Sequence, residues 1–277
     1  MGVVEEVPAH LQREGAADYR AVRVVFSKQG FSWRAFPTQC NEEKCLRTIT
    51  SSYPAEIAWN LLFNGSNLGQ LRARTPAEWK FYSDIGLQKI VSSGRVPTIG
   101  QRSRRYGGYA DAMAYKPLVA NSKPYFKNSD SWKPSYPPPP AMRLLRKQFR
   151  KKFPKMCRVR PGNESSLETF SYRDSDVKLV KSYSSKRGWF LSRLHLAGAI
   201  DCQDTEGGFE MDDPWFVIKP DGSPQFLDSG IWLVDAGDYD NDGNSELIFS
   251  IDRENEGGYE LFYDDFGKRA VFSYNFH

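Results

Sequence analysis

Short segments in which apolar and polar residues alternate recur along most of this 277-residue chain, separated by turns containing Gly, Asn or Asp. Side chains of a β-strand point alternately to the two faces of a sheet, so each pair of segments around a turn is a candidate hairpin. This spacing predicts a mainly β chain, built as a sandwich, a barrel or a propeller. The candidate hairpins are Ala21–Phe26 with Phe31–Phe36, Ile57–Phe63 with Leu68–Arg74, Val177–Tyr183 with Trp189–Leu196, and Trp215–Lys219 with Gln225–Leu227.

Residues 121–160 interrupt this pattern. Four consecutive prolines, Pro137 to Pro140, are incompatible with a central strand and predict an extended surface connection. Directly after them, Ala141–Phe153 predicts a helix, because its apolar residues recur on one stripe and Pro154 follows as a stop. A shorter helix is predicted at Pro76–Ser83.

Charge is distributed unevenly along the chain, although the formal net charge is only +4. Residues 201–265 contain 19 acidic and two basic residues, whereas Arg143–Arg160 contains nine basic residues and no acid. A basic helix can bind phosphates, anionic lipid or an acidic partner, and the acidic C-terminal region is an alternative, intramolecular counterpart. We predict a protein partner and no specific nucleic acid; the candidate partner-binding residues are Arg143, Arg146, Lys147, Arg150 and Lys151.

The four cysteines lack the close Cys or His pairs of a zinc site, so two disulfides are the better interpretation. A local bridge between Cys40 and Cys45 leaves Cys157 to pair with Cys202. Disulfides imply an oxidising compartment, and we therefore expect an extracytoplasmic protein; four reduced cytosolic thiols are the alternative. No apolar run approaches the roughly 20 residues that cross a bilayer, and residues 1–7 lack the pattern of a signal peptide.

One loop carries specific chemistry. Residues 238–246 have the sequence Asp-Tyr-Asp-Asn-Asp-Gly-Asn-Ser-Glu, with acids at positions 1, 3, 5 and 9 and Gly243 at position 6. Carboxylates that converge in a tight loop repel one another unless a hard cation neutralises them, and ligands that are all oxygens favour Ca²⁺. An EF-hand would have its bidentate Glu at position 12, where this chain has Phe249, and would be flanked by helices rather than by strand-like segments.

The segment Gly237–Gly243 followed by Glu246-Leu247-Ile248 resembles the FG-GAP/VCBS class of calcium-binding repeats, known from integrin α-chain propellers and secreted bacterial proteins. The resemblance covers about 15 residues, and the strands after Gly257 would complete a blade. It implies a Ca²⁺ ligand set consisting of Asp238, Asp240, Asp242 and Glu246 through their side chains and Asn244 through its carbonyl.

With that resemblance, the preferred fold is a propeller-like arrangement of antiparallel blades with one inserted basic helix. We predict a single β-rich domain over 1–277, with Ala21–Phe26 as the strand that completes the last blade. Its expected parts are N-terminal hairpins at 20–120, the proline-rich connection and basic helix at 121–160, and C-terminal blades with the calcium loop at 170–277.

Two classes of function remain open. The first is a Ca²⁺-stiffened scaffold that binds or assembles with another protein. The second is a polysaccharide-active hydrolase or lyase that uses carboxylates in a central pocket; the aromatic residues Trp132, Tyr136, Trp189 and Trp215 make carbohydrate an alternative ligand. The three histidines form no recognised catalytic motif, so we favour the first class and predict no catalytic residue.

Overall fold

The computed structural model of the chain describes residues 1–6, 20–39, 43–92, 96–97, 117–124, 130–160, 163–202, 211–253 and 255–275. These residues form a mainly β structure with two α-helices. Contacts divide the chain into two compact units. Unit 1 combines Met1–Ser129 with Trp232–His277, and unit 2 is Asp130–Ile231.

A closed six-stranded barrel forms much of unit 1, in the order β1-β2-β7-β6-β5-β8. A separate hairpin pairs β3 with β4, and the short helix α1 (Glu43–Thr50) precedes β5. The strands are β1 (Gly2–Glu6), β2 (Arg20–Val24), β3 (Phe26–Gln29), β4 (Ser32–Ala35), β5 (Glu56–Phe63), β6 (Ser66–Arg74), β7 (Leu87–Ile90) and β8 (Leu118–Asn121).

The β5–β6 hairpin shows how local sequence determines these elements. Asn64 and Gly65 have φ values of 47° and 76°, and two consecutive positive φ values are what a two-residue type I′ turn requires. Along β6, Leu71 and Ala73 are buried, whereas Arg72 is exposed. Alternate side chains of β6 thus point toward the core, and the side chains between them point to solvent.

The C-terminal part of unit 1 is a four-stranded sheet in the order β16-β17-β18-β19. Its core residues, among them Tyr239, Ile248 and Phe272, belong to the same apolar cluster as the barrel residues Val22 and Trp59. One core therefore joins this sheet to the barrel. The strands are β16 (Ile231–Gly237), β17 (Glu246–Arg253), β18 (Glu256–Tyr263) and β19 (Lys268–Asn275).

Unit 2 has its own core around helix α2 (Pro139–Lys152). Ala141, Leu145 and Phe149 recur every fourth residue and are buried. The helix packs with a five-stranded sheet of order β15-β14-β13-β12-β9, and β10 and β11 form a separate pair. These strands are β9 (Lys133–Pro134), β10 (Met156–Arg160), β11 (Asn163–Phe170), β12 (Lys178–Ser184), β13 (Phe190–His195), β14 (Trp215–Ile218) and β15 (Pro224–Phe226).

The expected disulfide between Cys157 and Cys202 is present in unit 2, with Cα atoms 5.0 Å apart. Cys40 lies outside the described residues, so its pairing with Cys45 stays a prediction. None of the described helices is both long and apolar enough to span a bilayer.

Three expectations are corrected. The segment Ala21–Phe26 does not form a hairpin with Phe31–Phe36 as a whole, nor does it join a C-terminal blade: β2 pairs with β1 and β7, and only β3 pairs with β4. The predicted helix at Pro76–Ser83 is absent, and a 3-10 turn at Tyr82–Asp84 follows instead. Among the described residues, the N-terminal strands close into a barrel, and no closed propeller is formed.

Candidate metal centre

The acidic loop connects β16 to β17 in unit 1. Asp238 follows the last residue of β16, and Glu246 is the first residue of β17, so the strands hold both ends of the loop. Between them, Asn241 and Gly243 have positive φ values of 70° and 95°. Glycine adopts this conformation without strain, so Gly243 allows the chain to reverse direction within nine residues.

The loop brings three of the four predicted acids together. Asp238, Asp240 and Glu246 each offer a carboxylate oxygen, and these oxygens lie within 4.8 Å of one another. Asp238 and Glu246 are 0% and 1% exposed, and the side chain of Asp240 is 4% exposed. The cluster is therefore almost fully removed from water.

Backbone amides hold the first two carboxylates in place. Asp238 accepts hydrogen bonds from the amides of Asp242 and Gly243 at 3.0 and 2.9 Å. Asp240 accepts a longer one from the amide of Asp242, at 3.1 Å. These bonds fix the side chains of Asp238 and Asp240 before any cation binds.

The other two predicted ligands are arranged differently. Asp242 is exposed and lies outside the three-carboxylate cluster, and its Oδ1 accepts a hydrogen bond from the amide of Asn244 at 2.8 Å. Asn244 is half-buried. Of the five predicted ligands, the structure therefore brings three together, the carboxylates of Asp238, Asp240 and Glu246.

Burial and mutual repulsion oppose ionisation in this cluster. Burial is the main reason that the pKa of Glu246 rises to about 9, and the neighbouring charge of Asp240 adds to it. The pKa of Asp238 is also raised, mainly by burial, against the hydrogen bond from Gly243. A site in which carboxylates resist ionisation is one that a cation would stabilise.

The spacing of the oxygens fits a cation of the size of Ca²⁺. Ca²⁺ binds oxygens at about 2.3–2.6 Å, so two ligands of one ion lie at most about 5 Å apart. The 4.8 Å limit for Asp238, Asp240 and Glu246 meets this condition. Other hard divalent cations also take oxygen ligands, so these three carboxylates could hold a metal ion, and their geometry does not select which one.

Side chains from the N-terminal part of unit 1 contact this loop. The Lys28 ammonium on β3 donates a hydrogen bond to Asp240 Oδ2 and forms an ion pair with it. Asn121 at the end of β8 donates to the carbonyl of Tyr239 at 2.7 Å. The barrel and the β3–β4 hairpin therefore position the loop from outside.

Sequence reasoning missed Lys28 and Asn121. Lys28 is 212 residues from Asp240, and Asn121 is 118 residues from Tyr239. No local motif marks either residue, because each is defined by a contact between distant parts of the chain.

The predicted partner-binding residues of α2 divide into two groups. Arg146 donates to the carbonyl of Val177 at 3.2 Å, and Arg150 pairs with Asp174 at 2.8 Å. Within the part of the chain that the structure describes, the remaining three are exposed and have no acidic partner; they are Arg143, Lys147 and Lys151.

The aromatic residues offered as carbohydrate platforms are mostly buried. Trp132, Trp189 and Trp215 are 7%, 4% and 1% exposed, so they serve as core residues, while Tyr136 is 88% exposed. Of the histidines, His195 lies on β13 with its Nδ1 2.7 Å from Asp213 Oδ1; the other two lie outside the described residues.

No family model, curated protein or solved structure matches this chain.

Proposed function

We propose that this protein is an extracytoplasmic, β-rich scaffold stiffened by Ca²⁺ at the loop from Asp238 to Glu246, and that it binds or assembles with another protein. The single observation that carries the proposal is the convergence of three almost fully buried carboxylates, those of Asp238, Asp240 and Glu246. Buried acids without a cation destabilise a fold, so their presence favours a structural cation site.

The choice of Ca²⁺ rests on the chemistry of the ligands and on the resemblance to FG-GAP/VCBS loops. All candidate ligands are oxygens, and the flexible coordination of Ca²⁺ tolerates an irregular loop better than the strict octahedron of Mg²⁺. The N-terminal strands close into a barrel, so the proposal keeps only one propeller-like blade, the four-stranded sheet β16–β19.

The compartment and the partner are parts of the same proposal. The Cys157–Cys202 disulfide supports an oxidising compartment. For the partner, Arg143, Lys147 and Lys151 are exposed on α2, and a protein with an acidic surface would complement them. A cavity lined by Lys28, Trp33 and Asp240 lies beside the loop. Hydrolase activity is not proposed, because Asp240 is the sole acid among the described residues that line this cavity.

Thermal unfolding with Ca²⁺, Mg²⁺ or chelator tests the metal site. A ligand at a hundredfold excess over its Kd stabilises the folded state by about 2.7 kcal/mol, which corresponds to a rise in Tm of about 5–10 °C for a unit of this size. We expect such a rise with Ca²⁺, a smaller one with Mg²⁺, and neither with Asp238→Asn, because the variant removes one buried ligand charge.

Asp221→Asn is the matched control. Asp221 also accepts a bond from a backbone amide in a tight turn, at 2.8 Å from Ser223, but it lies in unit 2 and outside the acidic cluster. This variant should retain the full response to Ca²⁺. An unchanged Tm of the unmodified protein on addition of Ca²⁺ would refute the proposed site.

A further inference from the structure

A cavity of about 470 Å³ lies within unit 1 beside the proposed metal loop, which is the acidic loop from Asp238 to Glu246. Asp240 and Tyr239 of the loop line it on one side, and the β3–β4 hairpin lines it through Lys28 and Trp33. Its volume lies within the range of about 300–1,000 Å³ typical of small-molecule sites. Asp240 therefore belongs both to the lining of the cavity and to the candidate metal centre.

Three polar side chains of the cavity, those of Lys28, Lys123 and Trp33, can only donate hydrogen bonds. Lys28 and Lys123 supply two cations, against which Asp240 is the sole acid among the described lining residues. Trp33 is 5% exposed, and its indole Nε1 has no hydrogen-bond partner among the residues that the structure describes. A buried donor without a partner is costly, so a ligand with an acceptor oxygen would satisfy it.

Apolar side chains form about half of the wall, beside the further polar residues Ser27, Asn121 and Ser122. Phe26, Phe36 and Trp59 line the cavity together with aliphatic residues. A wall that combines apolar side chains with cationic groups suits a ligand with a charged head and an apolar body. Two ammonium groups and an indole N–H favour a carboxylate head over a cationic or neutral one.

Lys28 connects this cavity to the loop. Its ammonium is paired with Asp240 and lies 5.4 Å from the centre of the Trp33 ring. Asp240 cannot serve fully both as a cation ligand and as the counter-ion of Lys28. Once Asp240 is engaged by a cation, Lys28 requires another anion, and the cavity is where it can meet one.

We propose that this cavity binds a small carboxylate with an aromatic or similarly apolar body, and that occupation of the metal loop strengthens this binding by freeing Lys28 from Asp240. The proposal rests on the proposed function of the loop. Because coupling between two sites is reciprocal, the carboxylate must strengthen Ca²⁺ binding by the same factor. Typical couplings of this kind are about 5- to 150-fold.

Benzoate is a suitable probe, and benzamide is its neutral counterpart of nearly equal shape. Titrations of the full chain, followed by tryptophan fluorescence and by ligand-observed NMR, give the affinity for each probe with Ca²⁺ and with chelator. We expect benzoate to bind at least about fivefold more tightly with Ca²⁺, and benzamide to show no such dependence. Benzoate should raise the affinity for Ca²⁺ by the same factor.

Two variants locate the effect. Lys28→Met removes the shared cation and should abolish the Ca²⁺ dependence of benzoate binding, and Trp33→Phe removes the indole donor and should weaken benzoate binding in both conditions. Lys89→Met is the matched control, because Lys89 is exposed on β7 and does not line the cavity. This control should behave as the unmodified protein does.

Melting temperatures of the same samples separate the two proposals. If Ca²⁺ raises the Tm but benzoate does not bind, or binds with equal affinity in chelator, the cavity proposal is overturned while the metal site stands. If Ca²⁺ leaves the Tm unchanged, the proposed function fails, and the coupling fails with it. Equal binding of benzoate and benzamide would overturn the assignment of a carboxylate ligand.

Discussion

Glu246 is the residue on which the candidate centre depends most strongly. It opens β17, is 1% exposed, and accepts a hydrogen bond from the amide of Tyr239 at 2.7 Å. Burial and the charges of Asp240, Asp238 and Asp242 together raise its pKa to about 9. Without a cation, the folded protein therefore keeps a proton on this carboxyl that the unfolded chain releases at a lower pH.

This proton makes the stability of the folded protein depend on pH. An acid with a raised folded pKa binds more protons in the folded state, so stability falls as the pH rises between about 4.5 and 9. In chelator, we expect the Tm of the unmodified protein to fall across this window relative to that of Glu246→Gln, which does not titrate. Differential scanning calorimetry at pH 5, 7 and 9 measures this difference.

Two comparisons sharpen that measurement. Ca²⁺ should reduce the difference in slope, because the carboxylate is then stabilised in its charged form. Glu78→Gln changes an exposed glutamate and should follow the unmodified protein. Parallel pH profiles for Glu246→Gln and the unmodified protein in chelator would show that Glu246 is not protonated in the folded state.

The element that carries the loop, the sheet β16–β19, depends on a glycine within a central strand. Gly258 on β18 pairs with Ile251 on β17 and with Ser273 on β19, and its φ is 153°. A Cβ atom there would lie 2.0 Å from the carbonyl oxygen of Phe272. Glycine in a strand interior marks such a close approach of two backbones.

We expect Gly258→Ala to destabilise unit 1 by about 3 kcal/mol, because the clash is with backbone that cannot move without breaking the sheet. Gly69→Ala is the control: Gly69 lies on β6 with φ 128°, but nothing lies within 4 Å of an added Cβ. The Gly69→Ala variant tests the backbone strain alone, so it should lose less free energy of unfolding than Gly258→Ala. Urea unfolding followed by circular dichroism measures both, and equal losses would contradict the role of the close approach.

Unit 1 is built from two distant segments of the chain, and unit 2 is built from one. The core around α2 is made entirely of residues between 130 and 231, and the Cys157–Cys202 bridge closes within it. The core of unit 1 instead requires residues from both sides of that segment, including Tyr239 and Phe272.

Fragments test this organisation. A fragment of residues 130–231 should unfold cooperatively in urea and show near-ultraviolet circular dichroism, since its core is complete. A fragment of residues 1–129 should do neither, because it lacks the core residues of β16–β19. Cooperative unfolding of the second fragment, or its absence in the first, would contradict the division.

Elements whose determinants lie close together in the chain could be predicted from sequence. The Asn64-Gly65 turn, the hairpins β12–β13 and β14–β15, and helix α2 are examples. The predicted helix at Pro76–Ser83 was wrong, since tertiary contacts outweigh a weak helical pattern: Trp79 is buried, and the amides of Lys80 and Phe81 bond to Asp84.

The amino-acid sequence alone specifies the chemistry of the acidic loop, because nine consecutive residues contain both the carboxylates and the glycine that lets them converge. The three-dimensional fold keeps Asp242 outside the cluster, buries Glu246 enough for its pKa to rise, and pairs Lys28 with Asp240. It likewise closes the N-terminal strands into a barrel. The two sets of features differ because turn geometry depends on a few neighbouring residues, whereas burial, ion pairing and strand order depend on segments that are distant in the chain.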